Sequence, residues 1–279
     1  MKTNVVMING LPGNVAGVIA HHLVAHDRFR VLPFSLTGSE INIQQCYIGD
    51  TAIELIRPED REKRISAIKA AEGPFISIDY THPSAVNANA EFYCRHDLPF
   101  VMGTTGGDRD RLLSTIVQSG TTAVIAPNMA KQIVGFQAMM AYAAECFPDL
   151  FKGYRLTIRE SHQAGKADTS GTAKAMVTYF NRMGIEFDVA RIEKERDPER
   201  QLKLWGVPAA YLTGHAWHTY TLESADGTAR FEFTHNVNGR DIYSEGTMDA
   251  VLFLSEKISQ GVRGKAFSMI DVIKEGSAG

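Results

Sequence analysis

Asn4-Val-Val-Met-Ile-Asn9 runs directly into Gly10-Leu11-Pro12-Gly13-Asn14-Val15-Ala16-Gly17, an apolar strand followed by a glycine turn that opens a helix. Glycines at such a turn let the backbone approach a pyrophosphate, and the helix N-terminus behind them presents oriented N–H groups to it. The spacing is G-x-x-G-x-x-A: Pro12 replaces the usual middle glycine, while Ala16 still permits close packing of helix on strand. Gly10, Gly13, Asn14 and Val15 are therefore candidate cofactor-binding residues.

Outward from this turn, apolar runs alternate with helical periodicity. Strands are predicted at Val5–Ile8, Arg30–Phe34, Phe75–Asp79, Phe100–Met102 and Ala123–Ala126, with a β ribbon over Tyr47–Ile56 turned at Gly49-Asp50. Helices are predicted at Val15–Val24, Glu59–Ala71, Ala85–Cys94 and Arg109–Gln118. That alternation is the pattern of an α/β, Rossmann-like doubly wound parallel sheet. A further helix is expected from Lys131 to about Cys146, with Phe136, Met139 and Met140 in the core. Beyond Tyr154 the texture changes to longer alternating strands, His215–Glu223 and Ala229–Val237, joined through Ala225-Asp226-Gly227. This points to a second, mixed α+β domain. Tyr243–Ile258 returns to helix, and the tail with Phe267, Met269, Ile270 and Val272 is expected to fold back onto the first domain. The charged stretch Glu193–Arg200 reads as a solvated linker, and His215, His218 and His235 as hydrogen-bonded sheet residues.

An acid at the end of the second strand would bond the ribose of NAD and repel a 2′-phosphate. Here that strand ends Phe34-Ser35-Leu36-Thr37-Gly38, and the first acid is Glu40. Ser35 joins the cofactor candidates, NADPH is favoured, and NADH is possible because no arginine stands at the turn. Two loops at predicted strand ends, Gly103-Thr104-Thr105 and Pro127-Asn128-Met129, can receive a flat ring and its carboxamide.

Arg159-Glu-Ser-His162-Gln163-Ala-Gly-Lys166-Ala-Asp-Thr-Ser170-Gly171-Thr172-Ala-Lys174 carries the chemistry. It places a titratable imidazole and an ammonium group just ahead of a Ser-Gly-Thr helix start whose N–H groups attract an anion. Thr172–Met183 is the expected helix, with Gly184 as its stop. Such a set can hold and protonate a small carboxylate.

Composition narrows the field. With 279 residues, 44% of them hydrophobic, the chain can form two modest cores, and a net charge of -3 offers no footprint for nucleic acid or a membrane surface. Cys46, Cys94 and Cys146 lie far apart, which suggests three buried thiols in a reducing compartment and neither a disulfide framework nor a zinc site. No metal is assigned, and the absence of a visible leader suggests a cytoplasmic protein.

The motifs NGLPGNVAG, DYTHPSAVNANAEF, VMGTTGGDRDRL, APNMAKQIVGF, ESHQAGKADTSGTAKA, GHAWHTYTL and FEFTHNVNGRDIYSEGTMDAVLFL, in this order, resemble the 4-hydroxy-tetrahydrodipicolinate (dihydrodipicolinate) reductase family, in particular its plant-type branch. The resemblance covers nearly the whole chain. It implies NAD(P)H-dependent reduction of a cyclic imine dicarboxylate in the diaminopimelate route to lysine. It implies a dinucleotide-binding domain over 1–130 plus 243–279, and a substrate-binding and oligomerisation domain over 131–242. By the same resemblance His162 handles the proton, Lys166 assists, and Thr105, Gln163, Lys166, Ser170, Gly171 and Thr172 hold the substrate. Gln163 stands where common bacterial members carry a second histidine, and Asn14 where relatives commonly carry Arg or Lys. A homodimer or homotetramer is expected. Two other readings stay open: a reductase of a different cyclic imine, and a nucleotide-binding regulator without turnover.

Overall fold

A computed structural model describes residues 3–276. The described residues fold into two compact units, one formed by 3–134 with 241–276 and the other by Gly135–Arg240.

In the first unit, β1 (Asn4–Asn9) leads through the glycine turn to α1 (Asn14–Val24) and β2 (Phe29–Val31). The chain continues as β3 (Phe34–Leu36), the hairpin β4 (Gln45–Ile48) and β5 (Thr51–Ile56), and α2 (Arg61–Glu72). The single strand expected over Arg30–Phe34 is thus two. Pro33, which has no N–H to give to a ladder, separates them, and β3 pairs with β5 in its own small sheet. Next come β6 (Ile76–Asp79), α3 (Val86–Arg95), β7 (Phe100–Met102), α4 (Arg109–Ser119) and β8 (Ala123–Ile125), followed by α5 (Lys131–Cys146), whose first residues belong to this unit and the rest to the second. The main sheet has the order β2-β1-β6-β7-β8 and ends on a short C-terminal strand, Ala266–Phe267, every pair being parallel. Strand order reverses beside β1, so the crevice beyond its carboxyl end is where such sheets bind ligands.

Both faces of this sheet are covered, so its strands are apolar on both sides. Along β1, Val6 and Ile8 face Ile19, Leu23, Val251 and Leu254, while Met7 faces the cluster of Ile65, Phe92, Leu112 and Ile116. Of the helical residues expected in the core, Met140 is buried but Met139 is 63% exposed. Cys94 alone of the three thiols is buried; Cys46 is half-buried and Cys146 exposed.

The second unit contains β9 (Arg155–His162), α6 (Gly171–Arg182), β10 (Glu193–Glu195), the short α7 (Pro198–Arg200), β11 (His215–Glu223) and β12 (Arg230–Asn238). Its sheet has the order β10-β9-β11-β12, mixed in direction because β10 runs parallel to β9. Alternation on β9 and β11 turns Leu156, Ile158, Tyr220 and Leu222 inward, against Ala173, Met176, Val177 and Phe180 of α6. Those four α6 residues fall at the i, i+3, i+4, i+7 spacing of one helix face. The chain returns to the first unit as α8 (Ile242–Ser259), β13 (Ala266–Phe267) and α9 (Met269–Glu275).

Gly10 has φ of +103°, and a Cβ there would fall on the Tyr80 carbonyl. Gly10→Ala is expected to cost about 1–3 kcal/mol through backbone strain. Thermal unfolding followed by circular dichroism should show a midpoint lower by about 2–10 °C. An unchanged midpoint would remove this constraint from the turn.

Candidate active site

On the inner face of the second sheet, register builds rungs across three strands. Leu156, Leu222 and Phe231 are one rung; Ile158, Tyr220 and Phe233 are the next; then come Glu160, His218 and His235. The face therefore grades from apolar to ionisable toward the end of β9, where His162 follows. Glu160 is wholly buried. Burying a lone carboxylate is costly, and two partners offset the cost. Arg196 Nη2 donates to its Oε1 at 2.5 Å, and the Ser170 backbone N–H donates to its Oε2 at 3.0 Å.

Arg196 does more than neutralise Glu160. Its Nε donates to the Lys166 carbonyl at 2.7 Å and its Nη1 to the Glu195 carbonyl at 2.8 Å. The guanidinium thus ties the loop from Gln163 to Thr169 to the sheet, and the Lys166 N–H closes that loop on the Gln163 carbonyl at 3.0 Å. Residues expected to form a solvated linker are in fact an edge strand and an internal clamp. Charge density misled because it does not reveal that one arginine faces a buried partner. Gln201, fully buried, adds a bond from its amide to the His162 carbonyl at 2.7 Å.

His162 is 5% exposed. Burial first, then the nearby charges of Arg196 and Lys166, push its pKa from 6.5 down to about 4, against a raising bond to the His215 backbone. Lys166 Nζ pairs with Asp168 at 2.7 Å. At the start of α6, Ser170 occupies the N-cap without a side-chain capping bond, and the first turn contains no acid. The N–H groups of Gly171, Thr172 and Ala173 precede the first intrahelical bond, that of Lys174 to Ser170, and so are available to an anion. His162, Gln163, Lys166, Ser170, Gly171 and Thr172 are thus brought together by one strand, one loop and one helix start.

Sequence reasoning missed His218. It is 3% exposed, and neither ring nitrogen has a protein partner, so it is not the hydrogen-bonded sheet residue expected. Its ring meets His162 edge-on at 5.0 Å and stacks on His235 at 4.6 Å. His215 conforms better, since Nε2 meets the Ser161 hydroxyl at 2.8 Å. Glu160, His162 and His218 each offer a metal-ligand type, with donor atoms within 4.8 Å of one another. Two features disfavour a dication: Arg196 already occupies Glu160, and Lys166 adds a second positive charge.

In the first unit a cavity of about 830 Å³ opens beside the glycine turn, lined among others by Gly10, Gly13, Asn14, Gly38, Arg61 and Tyr80. The turn is held by Ser35, buried, whose hydroxyl accepts from the Leu11 N–H at 3.2 Å. Ser35 thus positions the backbone. Glu40 folds back so that a Cβ on Gly38 would meet its carboxylate, and Arg61 reaches the same cavity from α2. Gly103, Thr104 and Thr105 and the loop Pro127, Asn128 and Met129 are not among its lining residues. The Thr104 hydroxyl donates to buried Asp79 at 2.6 Å, alongside Thr81, Asn89 and Tyr93. The Asn128 side chain accepts from the Ala130 N–H at 3.0 Å, and Met129 is buried; Thr105 is exposed. The residues present fit a dinucleotide: a glycine turn where a side chain would clash, an uncapped α1 start without an acid, and a cavity at the point of strand reversal.

A parallel doubly wound sheet with such a turn, joined to a mixed sheet carrying a buried imidazole, is the architecture expected of a two-unit NAD(P)H-dependent oxidoreductase. The chain belongs to the dihydrodipicolinate reductase family: the profile of its N-terminus matches residues 5–129 and that of its C-terminus residues 133–273. It is 45% identical over 272 residues to "Probable 4-hydroxy-tetrahydrodipicolinate reductase 1, chloroplastic" of Oryza sativa subsp. japonica, covering 98% of this chain and 79% of that one. Identity to the Arabidopsis thaliana "4-hydroxy-tetrahydrodipicolinate reductase 1, chloroplastic" is 44% over 274 residues, covering 98% and 78%. Among solved structures, dipicolinate-bound dihydrodipicolinate reductase from Paenisporosarcina sp. TG-14 shares the fold, with a TM-score of 0.64 at 18% identity over 95% of this chain and 97% of that one. The cytoplasmic expectation is corrected by the plant relatives, whose names place all four of them in the chloroplast. No helix among the described residues is long and apolar enough to cross a membrane.

The buried rings give the second unit a pH dependence. His162 and His235 are both pushed down to about 4, His235 by burial, and burial lowers His215 and His218 as well. Below pH 6.5 the unfolded chain binds protons that the folded one refuses, so this stability is complete above about 6.5 and is lost as pH falls toward about 4. Denaturant titrations should show unfolding free energy dropping by up to about 1.4 kcal/mol per pH unit per ring in that window. A flat profile from about pH 7 to about pH 5 would contradict the burial of neutral rings.

Proposed function

We propose that the chain reduces 4-hydroxy-tetrahydrodipicolinate to tetrahydrodipicolinate with NAD(P)H, in the diaminopimelate route to lysine. The observation that carries this reading is the Arg196-clamped loop, which sets Lys166 and the open N–H groups of α6 beside buried His162. Family membership supports it. The unit with the glycine turn takes the dinucleotide; the unit with β9 and α6 takes the substrate. The reduced nicotinamide supplies the hydride. Gly10, Gly13, Asn14 and Val15 hold the pyrophosphate, while Gly103–Thr105 and Pro127–Met129 shape the nicotinamide end through their backbone. NADPH is the preferred donor and NADH the second, because Arg61 brings a positive charge to the cavity that also receives Glu40.

On the substrate side, Ser170, Gly171 and Thr172 take one carboxylate at the helix start, with Gln163 contributing from the loop before them. Lys166 exchanges Asp168 for the second carboxylate, keeping an ammonium–carboxylate pair throughout. His162 is neutral in the free protein at neutral pH. The 4-hydroxyl leaves as water, giving a conjugated ring to which hydride adds. A bound dianion favours the charged form of His162, so substrate binding loads the proton that the imidazole then gives to the resulting enamine. The chain assembles as a homodimer or homotetramer through the second unit, whose edge strand β12 exposes Phe231.

Substrate generated from pyruvate and aspartate semialdehyde by a coupled synthase should cause loss of nicotinamide absorbance. No substrate-dependent oxidation of either NADPH or NADH would end this reading. His162→Ala should lower kcat about a hundredfold or more while leaving nucleotide KM nearly unchanged. Binding of dipicolinate near neutral pH should take up protons, seen calorimetrically as a dependence of apparent enthalpy on the buffer's ionisation enthalpy. Absence of that dependence would remove the loading step.

A further inference from the structure

The rung of Glu160, His218 and His235 belongs to no element of the reaction described above, yet it lies directly behind the proton-handling ring. His218 stands opposite Glu160 on one side and His235 on the other. Its Nε2 is 3.9 Å from Glu160 Oε2, too far for a direct hydrogen bond. Both of its nitrogens and Nε2 of His162 are buried without protein partners. Polar groups buried this deeply are almost always satisfied, and by ordered water where protein atoms do not reach.

The spacing fits one small polar molecule. Donor atoms of Glu160, His162 and His218 all lie within 4.8 Å of one another, close enough for one water to reach all three at hydrogen-bond distances of about 2.8 Å. Tetrahedral zinc, with bonds of about 2.0–2.1 Å to nitrogen, would need them about 3.4 Å apart, closer than the 3.9 Å between His218 Nε2 and Glu160 Oε2.

We propose that Glu160, His162 and His218 form the binding site of a single buried water, and that through it His218 is a positioning residue for His162. The water gives Nε2 of His162 a partner and, together with the ring's bond to the His215 backbone, holds ring orientation and tautomer before substrate arrives. Glu160, anchored by Arg196 and Ser170, orients the water. From β12, His235 stacks on the outer side of His218, and Tyr220 supports both, its hydroxyl 3.4 Å from His235 Nε2. The groups around His218 are thus Glu160 and His162 from β9, His235 from β12 and Tyr220 from its own strand, with Arg196 and Lys166 as the charged neighbours. Burial foremost, with His235, His162, Arg196 and Lys166 adding to it, holds His218 well below the usual histidine range, so the relay stays neutral beside the clamp.

The inference rests on the role given to His162, and the test separates the two. His218→Phe keeps an aromatic ring and removes its nitrogens; His218→Asn restores a polar group. With the coupled assay, His218→Phe should lower kcat about ten- to a hundredfold, as loss of an orienting partner does, with nucleotide KM within about twofold. The pH profile of kcat should shift, and His218→Asn should recover part of both. Independently of turnover, long-range ¹H–¹⁵N spectra should show His162 as one tautomer in the wild type and as a mixture, with a moved midpoint, in His218→Asn. Identical His162 spectra and titration in wild type and His218→Asn would overturn the proposal. So would wild-type kcat and pH profile in His218→Phe, or one zinc ion retained per chain and lost on substitution of His218. Should His218→Phe not fold, the spectra of His218→Asn decide. Changed spectra together with a fully active His162→Ala would sink the catalytic assignment of His162 while leaving the water site standing.

Discussion

The buried pair of Glu160 and Arg196 is the interaction on which the second unit's chemistry depends. Removing either partner leaves an uncompensated charge in the interior, a loss of about 3–5 kcal/mol in comparable cases. The pair is retained because it performs three positioning tasks at once. Glu160 fixes the Ser170 N–H and so the start of α6; Arg196 fixes the Lys166 carbonyl and so the loop; and β10 is held against β9 by the residue that follows it. A loop containing Ala164-Gly165 has little side-chain packing of its own. Its shape is supplied from outside by a forked cation whose planar geometry suits several oxygen acceptors.

A comparable role falls to Asp79 in the first unit. Five donors from Thr81, Asn89, Tyr93 and Thr104 converge on its carboxylate, fixing the loops that follow β6 and β7. Asn9 joins the network through Tyr93 and accepts from the Leu36 N–H. Three strand ends at the reversal of the sheet are thus bound to one another by polar side chains. This explains how a turn with Pro12 in place of a glycine keeps its shape: Ser35, Thr37 and Tyr80 surround it with fixed partners.

Much of the fold is legible in the sequence because it is written in periodicity. Parallel strands covered on both faces read as short apolar runs, and the amphipathic helices between them repeat at 3.6 residues. The glycine turn and the stretch from Glu160 to Lys174 are local as well, so their residues can be recognised without knowing the fold. What was not legible depends on register. His218 lies 58 positions from Glu160 in sequence and directly opposite it in the sheet, and nothing in the strand's alternation distinguishes an unpartnered histidine from a bonded one. Arg196 was hidden for a related reason, since only pairing of β10 with β9 turns a charged stretch into a clamp. Pro33 was a readable signal for the split after β2, whereas the fold of the Glu40 side chain back over Gly38 is not visible in linear position.

Glu160 and His162 share strand β9 two residues apart, on the same face, with their cross-strand partners fixed by the ladder to β11. One residue inserted or deleted in that strand ahead of Glu160 would send both side chains to the opposite face together. The length of β9 is therefore under as strict a constraint as the identity of its functional residues. Exchange of side chains, and gain or loss of residues in the loop beyond His162, leave the parity of the strand undisturbed.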